Sequence, residues 1–190
     1  EINYFDGAAA QISVRDLSGN GVAPALLDLS DAPSYNFGTV AIGSHNVHSF
    51  TVTNNGGYPA TAIADGLGLA APFTFNGGAF PGALGNCAAT LAVGASCTVE
   101  VAYDPLVVNA DADSVVLSYN NGVIVTSSSR DMVGNAVNPA LINISDAGPY
   151  DYGTLATGGV ATNVFSLSNV GDVPATAIAE IGLAAPYTFT

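Results

Sequence analysis

Short apolar runs with a period of two recur along the chain, each closed by Gly, Asn or Pro, which is the pattern of half-buried strands. In Asn46–Asn54 the alternation puts His48, Phe50 and Val52 on one face. In Cys97–Tyr103 it puts Cys97, Val99, Val101 and Tyr103 on one side and Thr98, Glu100 and Ala102 on the other. Further strands are predicted at Ala25–Ser30, Tyr35–Val40, Ala60–Asp65, Val115–Tyr119 and Val123–Ser129. Asn55-Gly56-Gly57 marks a turn, and Asn120-Asn121-Gly122 reads as a hairpin turn that needs positive φ. Nothing between residues 24 and 138 carries a helical period. The expected class is all-β, with an immunoglobulin-like β-sandwich of roughly seven or eight strands.

The pattern repeats. Arg15-Asp16-Leu17 returns as Arg130-Asp131-Met132, an offset of 115 residues. Ser30-Asp31-Ala32 returns as Ser145-Asp146-Ala147, and Pro59-Ala60-Thr61-Ala62-Ile63-Ala64 as Pro174-Ala175-Thr176-Ala177-Ile178-Ala179. Tandem units of 115 residues follow, with residues 24–138 as one complete unit. Residues 1–23 correspond to the C-terminal strands of a preceding unit, and residues 139–190 to the first part of the next. The expectation is a window on a longer array, or a subunit whose ends are completed by neighbours through strand donation. Residues 130–138 are expected to link consecutive units, and a short link ending in Pro139 favours a stiff rod.

Composition narrows the function. Two Arg and fifteen acidic residues give a net charge of −13, with no Lys. Such a surface repels phosphate and lacks the basic patch that anionic membranes attract, so neither nucleic acid nor a membrane surface is expected as partner. No run is apolar and long enough to cross a bilayer. The chain begins with Glu1 rather than Met, as a mature or excised segment would. Charged residues make up only 9%, which suits faces covered by neighbouring copies of the chain as well as it suits a secreted protein biased toward Ala, Gly and Thr.

Three stretches carry a family likeness: Phe37-Gly38-Thr39-Val40-Ala41-Ile42-Gly43, Phe50-Thr51-Val52-Thr53-Asn54-Asn55-Gly56, and Leu91-Ala92-Val93-Gly94-Ala95-Ser96-Cys97-Thr98-Val99-Glu100-Val101-Ala102-Tyr103-Asp104-Pro105. The chain resembles the choice-of-anchor D repeat of bacterial surface proteins, itself similar to Hydin-type and sperm-protein-type immunoglobulin-like domains. The resemblance implies large exported proteins of many repeats, often anchored at the cell surface, and it brings no catalytic residues. One departure is the segment after Pro105, Leu106-Val107-Val108-Asn109-Ala110-Asp111-Ala112-Asp113, apolar at its start and acidic at its end.

Candidate chemistry is sparse. Cys87 and Cys97 are the only cysteines, and in an exported chain they read as a disulfide closing a small loop; two thiols with no nearby His make a poor zinc site. His45 and His48 are three apart on or beside a strand, so they point to opposite faces and do not share a metal. Asp104, Asp111 and Asp113 bracket one loop and are weak calcium candidates, better read as solvated turn residues. Arg15, Asp16 and Pro24, with Arg130, Asp131 and Pro139, are expected at the interdomain junctions, each Arg beside a carboxylate. Asn143-Ile144-Ser145 fits a glycosylation acceptor but falls in a predicted strand. The loop Asn76–Gly85 offers only Phe80 as an aromatic contact.

With no Ser–His–Asp arrangement, no Lys and no phosphate loop, no enzymatic activity and no cofactor are expected. The expected role is a structural repeat of an extracellular or bacterial cell-surface filament or stalk, with copies of itself or neighbouring repeats as partners. The alternatives are an adhesin module gripping a host, prey or polysaccharide ligand, and an accessory domain of a large secreted hydrolase.

Overall fold

The structure, a computed structural model, describes residues 1–189. Among the described residues the regular elements are all strands. A hairpin comes first, β1 (Ile2–Phe5) against β2 (Ala10–Ser13). Nine strands then build the sandwich: β3 (Leu27–Leu29), β4 (Ser34–Ala41), β5 (Asn46–Asn54), β6 (Ala60–Asp65), β7 (Phe73–Phe75), β8 (Thr90–Leu91), β9 (Ser96–Tyr103), β10 (Asn109–Asn120) and β11 (Val125–Val137). A second short pair follows, β12 (Ile142–Ile144) with β13 (Leu167–Asn169).

One sheet of the sandwich has the order β3-β5-β9-β7 and the other β4-β11-β10-β6-β8. All pairs are antiparallel except β4 with β11. Period-two alternation sends Phe50, Val52, Val99, Val101 and Tyr103 inward from the first sheet, where they meet Val115, Leu117, Tyr119 and Met132 from the second. Tyr35, Phe37, Phe73 and Tyr103 form an aromatic run along one end of this core, with Phe73 stacked on Tyr103 at 4.8 Å.

Two expectations are corrected by the strand ends. The last strand was expected to stop at Ser129, leaving 130–138 as a link; β11 instead runs on to Val137. Its second half alternates in burial, with Met132, Gly134 and Ala136 inside and Asp131, Val133 and Asn135 outside. Glycine is required at the middle position because the Tyr103 ring lies against the backbone there: a Cβ on Gly134 would sit 2.4 Å from Cε1. Small inward residues facing a large ring hide the strand from a search for apolar alternation. Likewise β10 begins at Asn109, so Asp111 and Asp113 are strand residues rather than loop residues.

The outer face of β9 also differs from expectation. Glu100 and Ala102 alternate away from the core, yet both are buried. Residues 76–87 fold over that face, where Gly82 lies so close that a Cβ would meet Glu100. The hairpin turn is longer than its Asn-Asn-Gly signal implied, with Asn120 paired to Val125; Gly122 does take positive φ, at 95°.

The pairing of β1 with β2 (Ile2↔Ser13, Tyr4↔Gln11) and that of β10 with β11 (Leu117↔Ser128, Tyr119↔Thr126) have the same register 115 positions apart. The same holds for β12–β13 (Ile142↔Asn169) and β3–β5 (Leu27↔Asn54).

Replacing Gly134 with Val places a branched side chain against a ring that cannot move. Overpacking of this kind costs about 1–3 kcal/mol, read as a lower urea midpoint at unchanged slope. An unchanged midpoint would remove the close approach of Tyr103 as the reason for glycine.

Candidate functional site

Arg130 sits in the middle of β11 with its guanidinium turned toward β3. Nε donates to the Ser30 carbonyl at 2.8 Å, Nη1 to that of Pro33 at 3.1 Å and Nη2 to that of Leu29. Two residues earlier, the Ser128 hydroxyl donates to the Leu27 carbonyl at 2.6 Å. From β10 the Tyr119 hydroxyl accepts the Leu27 amide at 3.2 Å. One polar stitch from the five-stranded sheet therefore satisfies the outer edge of β3, which is only three residues long. The Asp28 carboxylate stands 3.6 Å from Nη2 but is largely exposed, so its Coulomb contribution is small.

This placement corrects the expectation that Arg130 and Asp131 sit at a junction. Because β11 extends past them, both lie mid-strand, and Asp131 accepts a hydrogen bond from the Ser114 hydroxyl of β10. Arg15 and Asp16 lie beyond the end of β2 and are exposed. The contact just after β11 is made by residues to which the sequence assigned no role. Asn138 donates its amide and its Nδ2 to the Asp172 carboxylate, at 3.0 and 2.8 Å. The exposed Pro139 follows directly, and its carbonyl closes onto Gly171, where a Cβ would be 2.0 Å away. The exposed Pro24 presents its carbonyl to Gly56 in the same way, at 2.3 Å. The shared glycine, in Asn55-Gly56-Gly57 and Val170-Gly171-Asp172, was the available signal; read as a turn alone, it gave no hint of the proline carbonyl above it.

Behind each glycine is an asparagine. Asn54 is fully buried; its Oδ1 accepts the amides of Leu26 and Gly56, and its Nδ2 donates to the carbonyls of Tyr58 and Leu91. Asn169 makes three of the same bonds 115 positions on, to Leu141, Gly171 and Val173.

Cys87 and Cys97 form a disulfide with Cα atoms 4.9 Å apart, fastening the covering segment to β9. The segment is held further by the Glu100 carboxylate, which accepts Asn76 Nδ2 and the Leu84 amide, and by Asn86, which accepts the Thr98 amide. Phe80 turns inward, edge-on to Phe75 at 5.6 Å, so the one aromatic of this loop is not displayed for binding.

The remaining candidates go to separate places. Asp104 takes His45 Nδ1 at 2.6 Å; Asp111 accepts the Tyr103 hydroxyl and Asn109; Asp113 accepts the amides of Ala70 and Ser114. No cluster of three or more potential ligands occurs among the described residues. Burial, and then the Asp111 carboxylate beside it, holds the Tyr103 hydroxyl well above the usual tyrosine range. His48 stacks on Tyr35 at 3.5 Å and places Nε2 3.0 Å from Asp31. The Ser30 hydroxyl and then His48 pull the Asp31 carboxyl below its ordinary value. Asn163 meets Asp146 in the same relation. Asn143 is exposed within β12. After the buried Pro105, Leu106, Val107 and Val108 are exposed.

The family model described as HYDIN/CFA65/VesB-like, Ig-like domain matches residues 25–130. No curated protein matches the chain. Among solved structures, the VesB protease of Vibrio cholerae aligns at 23% identity and a TM-score of 0.44, covering 57% of this chain and 31% of that one. The ASH/PapD-like domain 7 of human CEP192 aligns at 12% identity and a TM-score of 0.42, covering 68% of this chain and 99% of that domain. A protein of unknown function from Porphyromonas gingivalis W83 aligns at 11% identity and 0.39, covering 58% and 46%. The chain thus spans less than a third of the VesB chain.

Replacing Arg130 with Gln leaves three strand-edge carbonyls short of their donors. The expected loss is about 2–4 kcal/mol of unfolding free energy, little of it recovered by Lys, whose ammonium lacks the planar fork. Equal stability of the Lys variant and the parent would show that charge alone suffices. For Asp31 the folded-state carboxyl lies below its ordinary 3.8, so the stability it confers is complete above that pH and is lost as the pH falls through the folded value. Melting of Asp31→Asn against the parent should show a gap at neutral pH that narrows below pH 3.8.

Proposed function

Because the chain belongs to the family of HYDIN/CFA65/VesB-like Ig-like domains, we propose that it is a non-catalytic structural repeat of an extracellular or bacterial cell-surface filament or stalk. The observation that carries this reading is the recurrence, 115 residues apart, of the asparagine hub with its proline carbonyl closed onto glycine. A side-chain arrangement that reappears at a fixed offset is what tandem units produce, each contacting its neighbour through one short joint. The proposed units are 24–138 complete, preceded by the strands of 1–23 and followed by 139–190, and the partners are copies of itself or neighbouring repeats. Within the family, the Phe37-Gly38-Thr39 and Leu91–Pro105 motifs favour the choice-of-anchor D type. The Cys87–Cys97 bridge supports an oxidising, exported setting. The net charge of −13 argues against nucleic acid as a partner.

A second reading, an adhesin module, is favoured by one observation. Leu106-Val107-Val108 is a run of three exposed apolar side chains on a loop, a composition suited to a contact surface.

Negative-stain electron microscopy of native, undissociated material separates the readings. Fibres or rods with an axial repeat of about 30–50 Å, one sandwich long at ~3.3 Å per strand residue, are the expected result. Compact isolated particles would remove the structural reading and leave the adhesin.

A further inference from the structure

The sandwich has four sheet edges, and three of them are blunted. β3 has three residues and is held by the side chains of Tyr119, Ser128 and Arg130. β7 has three residues and β8 two. The fourth edge, β4, is eight residues long and pairs on one side only, with β11. Its sequence, Ser34-Tyr35-Asn36-Phe37-Gly38-Thr39-Val40-Ala41, contains neither charge nor proline, two devices that usually guard a free edge. Ser34, Asn36 and Thr39 are exposed, and the sheet that β4 bounds is built wholly within residues 34–137.

Which backbone groups of β4 face outward follows from its ladder. Ile42 donates its amide to the Val137 carbonyl, so Ile42 and Val40 turn toward β11 while Ala41 and Thr39 turn away. Asn36 and Thr39 stand opposite Val133 and Asn135, which are two apart on β11 and share a direction. The register shift between them therefore leaves Asn36, and with it Ser34, facing outward as well. The Gly38 amide, at the shift, is already taken by Asn36 Oδ1 at 2.7 Å. Ala41 offers its amide alone, because its carbonyl accepts from Ser44. The outward positions are thus Ser34, Asn36, Thr39 and Ala41, a spacing that reads the same in both directions.

We infer that β4 pairs antiparallel with β4 of a second copy, about a twofold axis between Phe37 and Gly38, joining the two five-stranded sheets into one. Asn36 of each copy then lies opposite Thr39 of the other and exchanges both backbone bonds with it. The Ala41 amide meets the Ser34 carbonyl. A strand of the same spacing run the opposite way is what this edge matches, and a second copy supplies one. Charge points the same way. Two chains of net charge −13 repel over most of their surfaces, and β4 is a neutral place for them to meet. The nearest acid of the sheet, Asp131 on β11, would stand three strand spacings from β11 of the other copy. At ~4.8 Å per strand that is about 14 Å, beyond the Debye length of about 8 Å at physiological salt. This lateral contact goes beyond the structural-repeat reading and does not require it.

Cysteine pairing tests it. Chains carrying Asn36→Cys, mixed with chains carrying Thr39→Cys and mildly oxidised, should give a mixed disulfide dimer, separable by mass. Either chain alone should give little dimer, because each residue stands about 10 Å along the edge from its own copy at ~3.3 Å per residue, too far for a disulfide. Cys87 and Cys97 are already paired and do not compete. Thr39→Pro, added to the Asn36→Cys chain, removes one outward amide while Val40 and Ile42 keep the ladder to β11. The mixed yield should fall about tenfold, with the melting temperature of that chain near the parent's. A second pair avoids proline. Ser34→Glu in the Asn36→Cys chain and Ala41→Glu in the Thr39→Cys chain set carboxylates directly opposite each other. The yield should drop at low salt and recover at about 1 M, where the Debye length is ~3 Å. No mixed dimer, single-chain dimers as abundant as the mixed one, or a yield indifferent to the facing carboxylates would each overturn the inference.

Discussion

A single guanidinium closes the sandwich. Of the chain's two arginines, Arg15 is exposed and Arg130 is lodged inside the fold, where its fork is used on backbone carbonyls. The edge strand it serves is only three residues long, with its backbone ladder to β5 alone, and the facing sheet holds it through Arg130, Ser128 and Tyr119. Once that edge is fixed, Leu27 and Leu29 are held inward and the aromatic core behind them has a wall. A guanidinium suits this position because it offers donors in a rigid plane that the carbonyls of Leu29, Ser30 and Pro33 can share.

The second organising group is a neutral amide. Asn54 is buried among apolar neighbours with its oxygen and its nitrogen both satisfied by the main chain, so its removal would orphan several backbone groups at once. It ties the start of β3, the turn after β5 and the strand β8 into one knot at the end of the sandwich where the chain enters. Asn169 does the corresponding work for β12 and β13. The recurrence is informative because it joins positions far apart in sequence, which local turn preference alone would not do.

Much of this was legible in the residues. The class, the limits of β5 and β6 and the inward face of β9 follow from alternation, because Phe50, Val52, Val99 and Val101 are large and β-branched or aromatic. The pairing of Cys87 with Cys97 agrees with their spacing. The second half of β11 was not legible, since an inward Gly134 and Ala136 carry no apolar signal and only the Tyr103 ring opposite explains them. Arg130 was placed at a joint for the same reason: with the strand cut short at Ser129, it fell outside the sandwich. The buried Glu100 was hidden too, because the loop covering it comes from a segment whose path depends on the disulfide and on Gly82 rather than on any strand pattern. Asn138 and Asp172 are ordinary polar residues, and only their proximity distinguishes them.

The course of the chain through residues 24–138 also sets how the sandwich meets a pull. The chain enters at Pro24, beside the tip of the β10–β11 hairpin, where the Ala25 amide reaches the Asn121 carbonyl. It leaves after Val137, at the far end of the same hairpin, where Asn109 pairs with Ala136. The contacts from Leu27 to Ser128 and from Leu29 to Arg130 advance together along both segments, and β4 lies parallel on the other side of β11. Tension drawn between entry and exit therefore acts along these bonds in shear. The Arg130 fork, the Ser128 hydroxyl and the β4–β11 ladder must yield together, whereas a hairpin pulled open from one end would release its bonds singly.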